Sequence, residues 1–212
     1  MDNRSLSKDF RTYVRDNSAV FKKTSEKWGG FSNMAAGYPL CVNGIYIRST
    51  EALYQSCRFP NDPEVQRKIL SQSSPMTAKM VGKPHRTNTR EDWERSRIVI
   101  MKWCLRVKLA QNYEKFSKLL KEAGDYPIVE SSNKDDFWGA KPVDSHTLIG
   151  INALGRLLME LRWLVTNLSE AKLSVVPVPT IDNFLLYGEE IKEVYASDVN
   201  SYINSQDSLF NL

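Results

Sequence analysis

The chain is poor in the residues that would make it a disulfide scaffold, a metalloprotein or a membrane protein. Its three cysteines, Cys41, Cys57 and Cys104, are an odd count among 212 residues with no C-x-x-C pair. Neither a disulfide framework nor a cysteine zinc cluster is expected, and a reducing, cytoplasmic setting fits. The two histidines, His85 and His146, lie far apart and have no HExxH-type company, which argues against a histidine metal site. No apolar run approaches the roughly 18 residues of a membrane helix. The first residues are polar, with no apolar signal-peptide core. There is no internal repeat, heptad array or low-complexity tract, no GxGxxG and no GxSxG elbow. Gly150-x-x-x-x-Gly155-Arg156-Leu157 has the glycine spacing of a P-loop. It lacks the lysine for phosphates and the hydroxyl for magnesium, so it reads as close helix packing. No cofactor and no metal are expected.

What is present is ordinary globular composition, 42% hydrophobic and 25% charged, which excludes collagen-like and largely disordered chains and suits one domain. The charge is uneven: net +3 over residues 1–27, +5 over 28–171 and −4 over 172–212. We therefore expect a polar lead-in at 1–27, irregular or helical, a main domain at 28–171 and an acidic extension packed on it at 172–212. A basic body suits a polyanionic ligand such as a nucleotide, pyrophosphate or DNA, and equally a merely solvated surface.

Local signals predict an α-rich α+β domain with a small antiparallel sheet or hairpin. Leu40–Val42 and Ile45–Ile47 flank Asn43-Gly44, a two-residue hairpin turn. Ser49 or Thr50 caps a helix running through Arg58. Asp62-Pro63 and Ser74-Pro75 each pair an N-cap with proline at the first helical position, and Gly82 offers a left-handed stop. Thr89 is read as the cap of one long helix ending at Gly124. A second clear helix begins near Gly150 with the stripe Ile151, Leu154, Leu158, Leu161, Val165. The tail after residue 172 reads as mainly extended and loosely docked.

Three constellations and one lysine could carry chemistry. Glu51, Tyr54, Gln55 and Arg58 recur at i, i+3, i+4 and i+7, so they share a helix face. That stripe offers a carboxylate, two hydrogen-bonders and a fixed cation to a cleft, or else is a solvated surface with a Glu–Arg pair. Glu130 to Gly139 is a polar loop in which Asp135 and Asp136 precede Trp138-Gly139. Such a loop builds a site or anchors itself by its tryptophan. Phe31-Ser32-Asn33 follows two glycines and could stack on and hydrogen-bond a base, or form a structural turn. Lys79 lies among small and apolar neighbours, where an amine can act as a nucleophile; most lysines are simply solvated.

Taken in order, these segments resemble the NADAR superfamily, the YbiA-like N-glycosidases, across roughly residues 28–165. The residues that carry the likeness begin with Phe31-Ser32-Asn33, then Glu51 with Tyr54, Gln55, Arg58 and Phe59, and Ala78-Lys79 with Gly82. Gln111-Asn112 follows, then Glu130 with Ser132, Asp135, Trp138 and Gly139. The last block is Gly150, Asn152, Leu154-Gly155, Leu158-Met159 and Arg162. The chain departs from the family pattern at Met34, Ala52 and Lys141.

The resemblance implies a NADAR-type fold over 28–171 and hydrolysis of an N-glycosidic bond at a ribose carrying phosphate or ADP. One branch of the family acts on riboflavin-biosynthesis intermediates. Another removes ADP-ribose from guanine in DNA, as antitoxin to a DarT-type ADP-ribosyltransferase, and the length and basic body favour that branch. On this reading Glu51, Lys79 and Asp135 are catalytic, while Phe31, Ser32, Asn33, Tyr54, Gln55, Arg58, Trp138, Gly139 and Asn152 hold the ligand. The expected partners are ADP-ribose or ADP-ribosylated guanine in DNA and a cognate toxin, with no membrane. The competing reading is a module that binds ADP-ribose without turnover.

Overall fold

The structure, a computed structural model, describes residues 10–210, with side chains through residue 205; residues 1–9 of the expected lead-in lie outside the described residues. In chain order, β1 (Arg11–Val14) and β2 (Ala19–Phe21) precede β3 (Leu40–Val42) and β4 (Ile45–Ile47). Helices α1 (Thr50–Ser56), α2 (Pro63–Leu70), α3 (Pro75–Val81), α4 (Trp93–Gln111) and α5 (Tyr113–Glu122) follow. Strands β5 (Ile128–Glu130), β6 (Lys141–Pro142) and β7 (Thr147–Gly150) lead into α6 (Ala153–Asn167) and α7 (Glu170–Leu173). The short strands β8 (Val175–Val176), β9 (Leu185–Leu186), β10 (Glu189–Glu190) and β11 (Val194–Tyr195) precede α8 (Asp198–Phe210). The class is α+β, helix-rich with small sheets.

Two compact units share the chain. The first joins the residues up to Ser32 with Glu114–Leu168; the second joins Asn33–Tyr113 with the residues from Ser169 onward. In the first unit, β7 lies between β1 and β6, antiparallel to both. Tyr13 and Leu148 face each other in register and share a small core with Val129 and Ala140. The segment expected to be irregular or helical thus supplies two strands. Long-range pairing overrides its polar composition, because the β1 residues flanking the inward Tyr13 are all exposed.

The second strand, β2, runs parallel to β5, with Ala19 opposite Ile128 and Phe21 opposite Glu130. A parallel pair needs a long crossover, and here more than a hundred residues intervene. Helix α6 lies so close to β5 that a Cβ on Gly155 would sit 2.0 Å from the Ile128 carbonyl oxygen. The Gly150–Gly155 spacing is therefore a packing device.

In the second unit the β3–β4 hairpin turns through Asn43 and Gly44 at φ 51° and 74°, as the sequence predicts. Asp62 accepts from the Val65 N–H, and Pro63 opens α2. Ser74 does the same for α3.

Four sequence expectations are corrected here. Gly82 is right-handed, at φ −71°, and the chain continues into a 3-10 segment over Lys83–Asn88. A Cβ there would lie 3.1 Å from the Phe59 ring, so this glycine gives room rather than a turn. Thr89 does not cap α4; its hydroxyl is taken by Arg58, and α4 begins at Trp93. The expected single helix ending at Gly124 is two helices broken at Asn112 (φ −133°, ψ 42°). Gln111 exchanges both amide bonds with the Cys41 backbone, and Asn112 donates to the Pro39 carbonyl. These ties to β3 outweigh the continuing helical stripe. The tail is also not loosely docked: Leu173, Val176, Phe184, Leu186, Ile191 and Val194 are buried, the Phe184 ring meets Trp103 edge-on at 4.9 Å, and α8 closes the chain.

Candidate active site

All seven residues of α1 are buried, so its polar stripe is not a solvated surface. Ser49 caps the helix by accepting from the Ala52 N–H at 3.2 Å, which fixes where its first turn begins. The Glu51 N–H donates to the Asn33 carbonyl at 3.0 Å, so Asn33 is tied to the start of α1. A carboxylate in the first turn is favoured by the helix dipole, and Glu51 is only 6% exposed. Gln55, one turn on, donates from Nε2 to Glu51 Oε1 at 2.9 Å. Lys79 reaches in from α3 and places Nζ 3.8 Å from the same oxygen. Its own side chain is half exposed. A buried carboxylate, aligned by an amide and paired with a half-exposed amine, is the arrangement a proton-transfer centre needs.

Around this pair the structure spends its polar groups unevenly. The Asn33 amide nitrogen lies 3.1 Å from Met101 Sδ, while its Oδ1 is buried and accepts from nothing among the described residues. That leaves one acceptor beside the chain that holds Glu51. Tyr54 is deeply buried, and its hydroxyl is held well above the ordinary phenol range, first by burial and then by the negative charge of Glu51. It is a neutral hydroxyl at physiological pH. The Tyr54 ring packs on Trp93 at 5.2 Å, and the Arg58 guanidinium lies over the Trp93 ring, 4.9 Å from its centroid. Arg58 Nε donates to Thr89 Oγ1 at 2.9 Å. Burial lowers the Arg58 pKa from its ordinary value; Tyr54 and Glu94 oppose this, and Arg86 and Arg97 add to it. A guanidinium so high on the scale stays charged. Beneath the stripe, Cys104 is fully buried, its thiol pushed well up by burial and then by hydrogen bonding to Cys57, so it is an inert core thiol.

Thr89 and Trp93, which orient Arg58, are the residues that sequence reasoning missed. Their segment, Thr89-Arg-Glu-Asp-Trp93, signalled only a helix start. A tryptophan four residues after a threonine, both distant in sequence from Arg58, gives no hint of a shared partner.

The first unit holds the remaining candidates. Ser32 is buried at the end of a 3-10 turn, its N–H donating to the Gly29 carbonyl. Phe31 is fully buried among Phe21, Trp28 and Phe116, with centroids 5.9, 5.8 and 6.4 Å away. Trp28 is stacked on it, so the ring is core, and the base-stacking role expected for it is corrected. Asn152 is corrected likewise. It is fully buried in a left-handed conformation, φ 53°, donating to the Ile128 carbonyl at 2.8 Å and accepting from the Glu130 N–H at 3.1 Å. Both ends of its amide hold β5.

Asp135 works partly as a loop organiser, because its Oδ1 accepts from the N–H groups of Phe137 and Trp138, each at 2.9 Å. Trp138 is half-buried against Phe137, edge-on at 5.0 Å. A Cβ on Gly139 would fall 2.6 Å from the Glu130 carbonyl oxygen, so the residue after Trp138 must be glycine for the loop to close on β5. Glu51, Lys79, Asn33, Tyr54, Gln55 and Arg58 thus belong to the second unit, and Phe31, Ser32, Asp135, Trp138, Gly139 and Asn152 to the first. Among the described residues no three His, Cys, Asp or Glu side chains gather as a metal site, and no helix is long and apolar enough to cross a membrane.

Comparison with known proteins adds a family. A family model described as NADAR domain matches residues 20–165. The N-glycosidase YbiA of Escherichia coli (strain K12) is 35% identical over 149 residues, 70% of this chain and 89% of that protein. A riboflavin biosynthesis protein of Vibrio vulnificus (strain YJ016) is 32% identical over 160 residues, 74% of this chain and 41% of that protein. The NMR structure of the E. coli protein YbiA matches with a TM-score of 0.61 at 32% identity, covering 73% of this chain and 88% of that one.

Proposed function

We propose a substrate for a chain that belongs to the NADAR domain family and is a hydrolase of N-glycosidic bonds: ADP-ribose attached to guanine in DNA. The reaction adds water across the bond between ribose C1 and a base nitrogen, with hydroxyl going to C1 and a proton to the departing base. Its transition state carries positive charge at C1, so a nearby carboxylate stabilises it and can relay the proton. The observation that carries the reading is the Glu51–Lys79 pair, with Nζ 3.8 Å from Oε1. Glu51 faces the developing cation or takes a proton from water.

Lys79 supplies a covalent variant of the same overall reaction. Its amine, giving a proton to Glu51, bonds to C1 and expels the base, which leaves with a proton. The ribose ring opens to a protonated imine, and water then releases the sugar and restores the amine. Arg58, fixed by Thr89 and Trp93, binds the diphosphate. The net charge of +5 over residues 28–171 favours a polyanion, which makes DNA the preferred carrier of the leaving guanine. On this reading the biological partner is a DarT-type ADP-ribosyltransferase whose mark the chain removes.

A second reading, hydrolysis of phosphoribosyl intermediates of riboflavin synthesis, is favoured by the similarity to the riboflavin biosynthesis protein of V. vulnificus. The test uses an oligonucleotide bearing ADP-ribosylated guanine, incubated with wild type and Glu51→Gln at fixed salt, with release followed by mass. Release by wild type, and a loss of more than tenfold in Glu51→Gln, about 1.4 kcal/mol of barrier or more, is the expected result. No release from DNA with turnover of ribosylamines selects the second reading, and binding without turnover of either selects a non-catalytic module. Borohydride trapping of a Lys79 adduct decides between direct and covalent routes.

A further inference from the structure

A cavity of about 650 Å³ opens in the second unit, and neither Glu51 nor Lys79 lines it. Three stretches build it: Pro60–Asp62 after α1, Thr87–Asp92 with Arg95 at the start of α4, and Asp182–Asn183. The last pair lies beyond the residues that the family model matches. Arg90 is built into the wall, its side chain only 4% exposed. The Asp92 carboxylate accepts from its Nε and Nη2, and the Asp182 carbonyl accepts from Nη2 at 2.6 Å. Its Nη1 is buried and donates to nothing among the described residues.

Asn183 stands at φ 54° and donates to Asn61 Oδ1 at 3.1 Å. That bond leaves the Asn61 amide with N–H donors and Asn183 with a carbonyl acceptor. Asn88 donates to Asp62 Oδ2 at 2.8 Å. The lining is thus a mixture of amide donors, amide acceptors and carboxylates on a fixed guanidinium.

The charges decide what class of ligand this suits. Asp62, Glu91, Asp92 and Asp182 outnumber Arg90 and Arg95 in the lining, so the cavity repels a phosphate. The cation next door is Arg58, whose Nε donates to Thr89 Oγ1 on the cavity wall at 2.9 Å. A ligand fitting both is anionic at one end and neutral at the other, with hydroxyls and a hydrogen-bonding ring. The geometry points to a ribonucleoside subsite, in which the carboxylates take the ribose diol, the Asn61 and Asn183 amides read the base edge, and the phosphates turn toward Arg58. Carboxylates serve ribose hydroxyls, and side-chain amides serve base edges, in other nucleotide sites. The inference deepens the proposed function and rests on its assignment of Arg58 to the diphosphate. Glu51 sits in the first turn of α1 and Arg58 two residues past its last, Ser56, a separation on the order of 10 Å at 1.5 Å per residue, which a ribose and a diphosphate can bridge. The cleaved ribose would lie at Glu51, and the far nucleoside in this cavity.

Calorimetric titration of the full chain with ADP, dADP and ribose 5-phosphate tests the subsite. Asn183→Gly removes the amide while keeping the left-handed backbone, and Asn61→Ala removes its partner. The expected result is ADP affinity reduced at least tenfold in each variant, with ribose 5-phosphate unchanged within twofold and dADP weaker than ADP on wild type. ADP affinity within twofold of wild type in both folded variants overturns the subsite. So does an equal loss for ribose 5-phosphate, or no ADP binding to wild type at millimolar concentration. These readouts need no turnover. A chain that binds ADP through Asn61 and Asn183 yet hydrolyses nothing would sink the proposed function and leave the subsite standing.

Discussion

Replacing Asn152 by alanine separates a structural amide from a ligand-reading one. The side chain is fully buried and makes two bonds to the β5 backbone, at 2.8 Å to Ile128 and 3.1 Å from Glu130. Alanine strips the partner from the buried Ile128 carbonyl, costing about 1–3 kcal/mol, and from the part-buried Glu130 N–H, costing less. It also places a Cβ residue at φ 53°, which adds roughly 1–2 kcal/mol. The sum is a loss of at least about 2 kcal/mol, a large part of the 5–15 kcal/mol typical of a domain. Asn152→Gly loses the same two bonds but not the left-handed penalty, so it falls between alanine and wild type. Urea unfolding followed by tryptophan fluorescence measures all three, with the slope checked for constancy. The reasoning fails if Asn152→Ala unfolds within about 1 kcal/mol of wild type, or if it keeps its stability and loses ligand affinity.

Two further outcomes follow from single contacts. Gly155→Ala would put a Cβ 2.0 Å from the Ile128 carbonyl oxygen, backbone against backbone. It should cost more than the roughly 1–3 kcal/mol of ordinary overpacking, and a melting temperature equal to wild type would refute the close approach of α6 to β5. Asp62 is held below the usual carboxylate range by the Asn88 amide, with the Val65 N–H adding to it. A depressed folded-state pKa contributes stability that is present above the unfolded value, near pH 4, and is lost as pH falls through the folded one. Asp62→Ala should therefore cost about 0.5–2 kcal/mol at neutral pH, as a lost helix cap does. The deficit should shrink on acidification below about pH 4, and a deficit independent of pH would show that the carboxylate charge plays no part.

Much of this molecule is legible locally. Asn43-Gly44 dictates a hairpin because both residues accept positive φ, and Asp62-Pro63 and Ser74-Pro75 dictate helix starts because cap and proline act within one turn. The shared face of Glu51, Tyr54 and Gln55 follows from helix period alone, whereas the helix ends at Ser56 and not at Arg58 as expected; the ordered motifs sufficed to place the chain in its family. The sequence could not say whether that face was wet or buried, since burial depends on what packs against α1. Nor could it say that Phe31 and Asn152 are spent on the core, because their partners Phe116 and Ile128 are set by long-range contacts. The break at Asn112 and the role of Thr89 belong to the same class: a continuing helical stripe yields to hydrogen bonds with residues some seventy and thirty positions away. The pairing of Lys79 with Glu51, the stacking of Arg58 on Trp93 and the cavity completed by Asn183 were decided by tertiary structure alone. Each joins side chains from separate elements, and periodicity along one element carries no information about which neighbour it will meet.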